Sequence, residues 1–227
     1  MSIIYWDFDG TLVWSEHLWS SSVFKALKET DDKNGVAFKD IRKCMATGFT
    51  WHTPENDYTA YKNDRWWDFM NEHIYRSYLL LGINEETALT ATQKVRKIIK
   101  KRENFNLYPD TVSTLQELKN RGHKNIILSN NFPDLHEVIE KIGIERYFDG
   151  FVISAVEGYD KPRKELFDIA KSFNKNNEPM YMVGDSIKAD IIGGNNAGMI
   201  TIYVHKGYFQ EADYCIENTN EILGIIE

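Results

Sequence analysis

The sequence predicts an α/β fold: a mainly parallel sheet with an α-helical block inserted just after the first strand. Three observations predict it. The apolar run Ile3-Ile4-Tyr5-Trp6 starts almost at the N-terminus and stops at two aspartates. Residues 15–103 are helical in pattern, aromatic-rich and poor in glycine. From Tyr108 onward, short apolar runs alternate with amphipathic stretches, the signature of strands joined by helical crossovers.

Ile3-Ile4-Tyr5-Trp6 reads as a short strand buried on both faces. Side chains alternate along an extended backbone, so Asp7 and Asp9 are expected to lean the same way where the strand ends. Gly10 permits the sharp exit that frees both groups from the sheet. Two neighbouring carboxylates repel, and keeping both charged requires a cation or a shared proton. An Asp-rich calcium loop is excluded, because its fifth, sixth and twelfth positions, counted from Asp7, hold Thr11, Leu12 and Leu18. A plain Asp-Gly turn between strands stays open on these residues alone.

The insertion is predicted to hold helices near Ser20–Glu29, Phe38–Cys44, Asn56–Leu81 and Glu85–Lys101, and no strand. Gly82-Ile83-Asn84 separates the last two, with Asn84 as N-cap before Glu85-Glu86. Trp66, Met70 and Ile74 recur at helical spacing and are read as core, as are Trp67, Tyr61 and Tyr75. Trp51 lies beside Gly48, outside any periodic pattern, and is a candidate for substrate contact. His52, His17 and Trp19 are weaker candidates for the cleft.

Beyond the insertion, Tyr108-Pro109-Asp110 opens a helix through Leu118 that stops at Gly122. A strand over Asn125–Leu128, a helix near Leu135–Ile142 and a strand over Phe151–Ile153 follow. Pro162 is expected to start a helix reaching about Phe173. A strand over Met180–Val183, a helix over Ile187–Asn196 and a strand over Ile200–Val204 complete the series. Residues 1–14 and 104–227 are thus the expected α/β core, and 15–103 the inserted helical block.

Composition narrows the function. The 227 residues are 42% apolar, enough for a sizeable core. A net charge of −7 argues against binding nucleic acid by neutralising its phosphates. No stretch approaches a membrane span, and no signal-peptide pattern opens the chain. Cys44 and Cys215 form neither a metal pair nor a disulfide framework, so a reduced, cytoplasmic setting is expected. There is no His-Glu-x-x-His helix, Gly-x-Ser-x-Gly elbow or Gly-x4-Gly-Lys loop, which disfavours zinc proteases, serine hydrolases and loop-type ATPases.

Ligands bind beyond the carboxyl ends of strands in open parallel sheets. There the sequence places Asp7 and Asp9, then Ser129-Asn130-Asn131, then Lys161-Pro162, then Gly184-Asp185-Ser186 with Asp190 five residues on. Each has an ordinary reading as a cap or surface residue; all on one rim, in this order, resembles the haloacid dehalogenase-like hydrolase superfamily over essentially the whole chain. The helical insertion is similar to the cap of the subclass holding phosphoglycolate phosphatases, phosphosugar mutases and true dehalogenases. Gly194 stands where relatives often carry alanine.

The resemblance implies a Rossmann-like core, a cap domain and a phosphatase acting on a small phosphorylated metabolite through an aspartyl-phosphate. It implies Asp7 as nucleophile, Asp9 as acid and base, and Ser129 and Lys161 as stabilisers of the transferring group. Thr11, Asn130 and Trp51 join Ser129 as substrate-binding candidates. Mg²⁺ is the implied cofactor, on Asp7, Asp185 and the main-chain carbonyl of Asp9, with Asp190 in support. Neither nucleic acid nor a membrane is an implied partner, and a monomer or weak dimer is expected. A dehalogenase is disfavoured because Asp9 and Asp185 are both present. A mutase is disfavoured because the loop Ala46–His52 lacks Lys and Arg, although Arg42 and Lys43 lie close in sequence. A non-catalytic binding module is disfavoured by the intact acids.

Overall fold

A computed structural model describes residues 1–226. Its centre is a six-stranded parallel sheet of strands β1 (Ile3–Trp6), β4 (Lys124–Ser129), β5 (Gly150–Ile153), β6 (Met180–Gly184), β7 (Ile200–Val204) and β8 (Tyr214–Ile216). The spatial order is β5-β4-β1-β6-β7-β8. β1 is buried along its whole length, as its unbroken apolar run requires. It pairs Trp6 with Ile127 on one side and with Val183 on the other. The chain therefore leaves β1 for both halves of the sheet in turn. The switch point of this Rossmann-like arrangement falls at the residue after Trp6, which is Asp7.

Two very short strands, β2 (Val13–Trp14) and β3 (Asn106–Leu107), pair antiparallel and lie on either side of the helical insertion. Two residues each are too few to show a period in the sequence. Between them run α1 (Leu18–Lys28), α2 (Phe38–Cys44), α3 (Asp64–Leu80) and α4 (Glu85–Ile99). The Asn84 side chain caps α4 by accepting from Thr87 N at 3.0 Å. Trp66, Met70 and Ile74 of α3 are buried, as their spacing predicts, and pack with Ala88, Ala91 and Val95 of α4. Tyr78 closes the bundle, its hydroxyl donating to Val23 O at 2.6 Å.

The long helix expected over Asn56–Leu81 is shorter than its pattern. It begins only at Asp64, preceded by a 3₁₀ turn at Thr59–Tyr61. The reason is tertiary. Tyr58 N donates to Gly158 O (3.1 Å) and Asn63 N to Ala155 O (2.8 Å), while Arg163 Nη1 donates to Asn56 O (2.7 Å). Backbone groups that a helix would pair internally are spent on docking against the short helical turn after β5 and its C-terminal glycine. Tyr61, expected in the core, is 42% exposed.

The remaining helices are α5 (Thr111–Asn120), α6 (Leu135–Ile142), α7 (Ser154–Glu157), α8 (Lys164–Lys171) and α9 (Gly193–Asn196), the last preceded by a π-helical stretch Ile187–Ile192. Pro162 does not start α8; it follows a cis peptide bond, and the helix begins two residues later. Edge strand β8 gave no signal, being only three residues long. Asp134, just before α6, joins the insertion to the core. It accepts from Trp67 Nε1 (2.6 Å), from Arg96 Nε and Nη2 (3.1 and 2.9 Å) and from Lys100 Nζ (2.8 Å). Burial opposes the Asp134 charge, but these donors hold its carboxyl below the usual range. No helix among the described residues is long and apolar enough to cross a membrane.

Candidate active site

Asp7 follows β1 directly, its N–H donating to Val183 O at 2.9 Å. Past it the chain reverses through Gly10, whose N–H donates to Val13 O at 2.7 Å. Gly10 has φ +81°, and a Cβ there would stand 2.3 Å from Asp185 Oδ2. Glycine is thus required both by conformation and by the close approach of the fourth strand end.

Lys161 is the electrostatic centre. It is 2% exposed, and its ammonium donates to Asp7 Oδ1 (3.0 Å), Asp190 Oδ1 (2.6 Å) and Leu128 O (2.6 Å). All three protons have partners. Burial alone would lower its pKa, but Asp190 and Asp7 hold it above the ordinary lysine value, so it is a cation. Its backbone is gripped as well: Lys161 N donates to Asn130 Oδ1 (2.6 Å), and Asn130 Nδ2 donates to Lys161 O (3.0 Å). That grip turns residues 161–163 away from the expected helix start. The Asn130 side chain thus holds the Lys161 backbone while bordering the cavity.

Asp190 is fully buried, and its second oxygen accepts from Ser186 N at 2.9 Å. Burial pushes its carboxyl upward against the pull of the Lys161 ammonium. Asp9 differs. Asn131 Nδ2 donates to its Oδ2 at 2.7 Å, and that amide is oriented by Phe132 N donating to Asn131 Oδ1 at 3.0 Å. Burial first, then the Asp7 charge, push the Asp9 pKa up to about 7. Asp9 keeps its proton below that pH and loses it above, a poise suited to giving a proton and taking one back. Burial and Asp7 raise Asp185 too, opposed by Lys206, whose ammonium lies 3.4 Å from Asp185 Oδ2. The Ser129 hydroxyl is buried and has no hydrogen-bond partner. A buried donor left unmatched in an acid-lined site is matched by an incoming acceptor.

These groups line one cavity of about 550 Å³. Asp7, Asp9, Ser129, Asn130, Lys161, Asp185, Asp190 and Trp51 all border it. Thr11 does not: it is fully buried, away from the cavity wall, and its carbonyl lies 3.2 Å from His205 Nε2. Its backbone continues the turn out of the acid pair, which directs the side chain inward. Trp19 borders the cavity, whereas His17, His52, Arg42 and Lys43 do not. Asn131, Lys206, Trp14 and Tyr108 also border it and were not singled out from sequence. The rim rule reaches Asn131, two residues past β4, and Lys206, two residues past β7. Trp14 and Tyr108 carried no signal.

Carboxylate oxygens of Asp7, Asp185 and Asp190 lie within 4.8 Å of one another. Such a set suits a hard cation that takes oxygen ligands. Both Asp190 oxygens are already engaged by Lys161 and Ser186, so Asp7 and Asp185 are the pair open to a metal.

Residues 1–198 match the haloacid dehalogenase-like hydrolase family, and the chain belongs to it. Among curated relatives, the chain is 32% identical over 166 residues to the pyrimidine 5'-nucleotidase YjjG of Escherichia coli, covering 69% of this chain and 73% of that one. It is 29% identical over 157 residues to a glyceraldehyde 3-phosphate phosphatase of Methanopyrus kandleri, covering 64% and 67%. In structure it resembles a 2-haloacid dehalogenase from Pseudomonas syringae with TM-score 0.73 at 18% identity, over 100% of this chain and 98% of that one. This last likeness concerns the fold.

Proposed function

We propose that the protein is a Mg²⁺-dependent phosphatase that hydrolyses a small phosphate monoester through an aspartyl-phosphate on Asp7. One observation carries the reading: a carboxylate held by a buried lysine stands beside a second carboxyl poised near neutrality, in a cavity with an unmatched serine hydroxyl. Two relatives are named for hydrolysis of different phosphate esters. They support the bond that is cleaved and leave the alcohol open.

Asp7, oriented by Lys161, attacks phosphorus and carries the phosphoryl group. Ser129 donates to a phosphoryl oxygen, and the Lys161 ammonium beside Asp7 offsets the charge that builds there. Asp9 gives its proton to the departing alkoxide, then takes one from the water that releases phosphate. Asn131 fixes Asp9 by one oxygen, which leaves the other for this work. Residues 15–103 act as a cap that excludes bulk water during the first step. Asp7, Asp185 and the Asp9 carbonyl would hold Mg²⁺, which would neutralise negative charge where the acids and the phosphate meet. A mutase needs a cationic grip on a second phosphate, and no lysine or arginine of residues 15–103 borders the cavity.

EDTA should abolish turnover of a generic ester and Mg²⁺ restore it. At a hundredfold excess over Kd, Mg²⁺ should add about 2.7 kcal/mol of stability. That corresponds to about 5–10 °C in Tm for a chain of this size. Asp185→Asn should weaken both effects by raising the Mg²⁺ requirement. Full activity in EDTA, or equal Mg²⁺ affinity in wild type and variant, contradicts the ligand assignment.

A further inference from the structure

Lys161, Lys188 and Lys206 border the cavity, and each is held differently. Lys161 is buried, with all three ammonium protons on fixed acceptors. Lys188 is exposed and has no ion pair among the described residues. Lys206 reaches the rim from the end of β7, on the half of the sheet opposite β5 and Lys161. Its side chain is 49% exposed, and its ammonium lies 3.4 Å from Asp185 Oδ2.

The turn that carries Lys206 is fixed, although its ammonium is not. His205 before it has φ +64° and Gly207 after it φ +80°. The left-handed region is uncommon for a residue other than glycine and persists where the surroundings impose it. They do so at His205. Its ring stacks on Tyr108 at 3.9 Å, with Nδ1 2.8 Å from Glu217 O and Nε2 3.2 Å from Thr11 O. These contacts tie the start of the turn to the C-terminal segment and to the chain leaving the acid pair. Lys206 therefore meets Asp185 from a rigid base on a flexible stem. A half-exposed pair of this kind is weak enough to exchange its partner.

Asp185 has a second call on its charge. With Asp7 it is the pair open to a hard divalent cation. Such an ion binds carboxylate oxygens directly and draws on their full charge. An ammonium beside the same oxygen offsets part of that charge and repels the arriving ion. Resting on the metal assignment in the phosphatase reading above, we infer that Lys206 competes with the divalent cation for Asp185 and so sets the affinity of the site for Mg²⁺. It acts through Asp185, as a residue that tunes metal occupancy.

The test is calorimetric titration of Mg²⁺ into the protein with no ester present, so that binding is read without turnover. Lys206→Met keeps the length of the stem and removes the charge. It should tighten Mg²⁺ binding by about 2–30-fold, which is twice the free energy of an exposed unit-charge pair, doubled for a divalent ion, written as a ratio. Lys206→Arg restores the charge and should return Kd to within about twofold of wild type. Lys188→Met removes a charge at the same cavity that is not paired with Asp185, and should move Kd by less than about twofold. Mg²⁺ affinity in Lys206→Met equal to or weaker than wild type overturns the inference. So does equal tightening in Lys188→Met, which would place the effect in the general field of the cavity. Tight binding that persists in Lys206→Arg also overturns it, because packing and not charge would then be the cause. No Mg²⁺ binding to the wild-type protein defeats the metal assignment and the inference with it.

Discussion

Asp7→Asn is expected to lower kcat by on the order of 10⁶-fold, the scale on which deletion of a covalent nucleophile acts elsewhere. An amide is a poor nucleophile and a poorer ligand for a hard cation. The fold should survive, because Lys161 keeps its contacts with Asp190 and the Leu128 carbonyl. The Asp7 charge is also one of the causes that raise Asp9 and Asp185, so removing it relieves repulsion. A thermal melt at or above the wild-type Tm, with turnover lost, is the expected pair of results. A melt far below wild type would mean that Asp7 serves the fold, and residual turnover within tenfold would remove it from the chemistry.

The second large effect belongs to Lys161→Met. It leaves Asp7 and Asp190 in a buried site without their cation, and breaking such a pair costs about 3–5 kcal/mol. Turnover measured on the folded fraction should fall by at least about 10²–10³-fold, the scale of losing one stabilising donor at a transition state. Asp190 touches Lys161 and the Ser186 N–H, which on the proposed mechanism makes it a positioning residue for the lysine. Asp190→Asn in the Lys161→Met background should then add little further loss of activity, a strongly non-additive cycle. Additive losses would give Asp190 a separate role, such as direct contact with the metal.

The rim chemistry was legible because a parallel sheet sends every strand end to one edge. Once Ile3–Trp6, Asn125–Leu128 and Met180–Val183 were read as strands, Asp7, Ser129 and Asp185 could only meet there. The α3 stripe was legible for the complementary reason: Trp66, Met70 and Ile74 share one helical face whatever packs on it. What escaped depends on contacts distant in sequence. Residues 56–63 look helical, but their backbone groups dock on Ala155 and Gly158, about a hundred residues away. Thr11 follows the acid pair so closely that nothing local shows its side chain turned inward. No sequence pattern reveals that the Asn130 amide grips the Lys161 backbone. Trp14 and Tyr108 reach the cavity only because two-residue strands pair across the insertion.

The central claim is that phosphate leaves in two displacements, with Asp7 carrying the phosphoryl group between them. Trapping an adduct depends on its lifetime, whereas the stereochemical course at phosphorus does not. Each in-line displacement inverts the configuration, so two restore it. Hydrolysis, in ¹⁷O-labelled water, of a preferred ester made chiral at phosphorus with sulfur and ¹⁸O is the direct measurement. Net retention is the result this account predicts. Net inversion would mean that water attacks the substrate in a single step, and would contradict it.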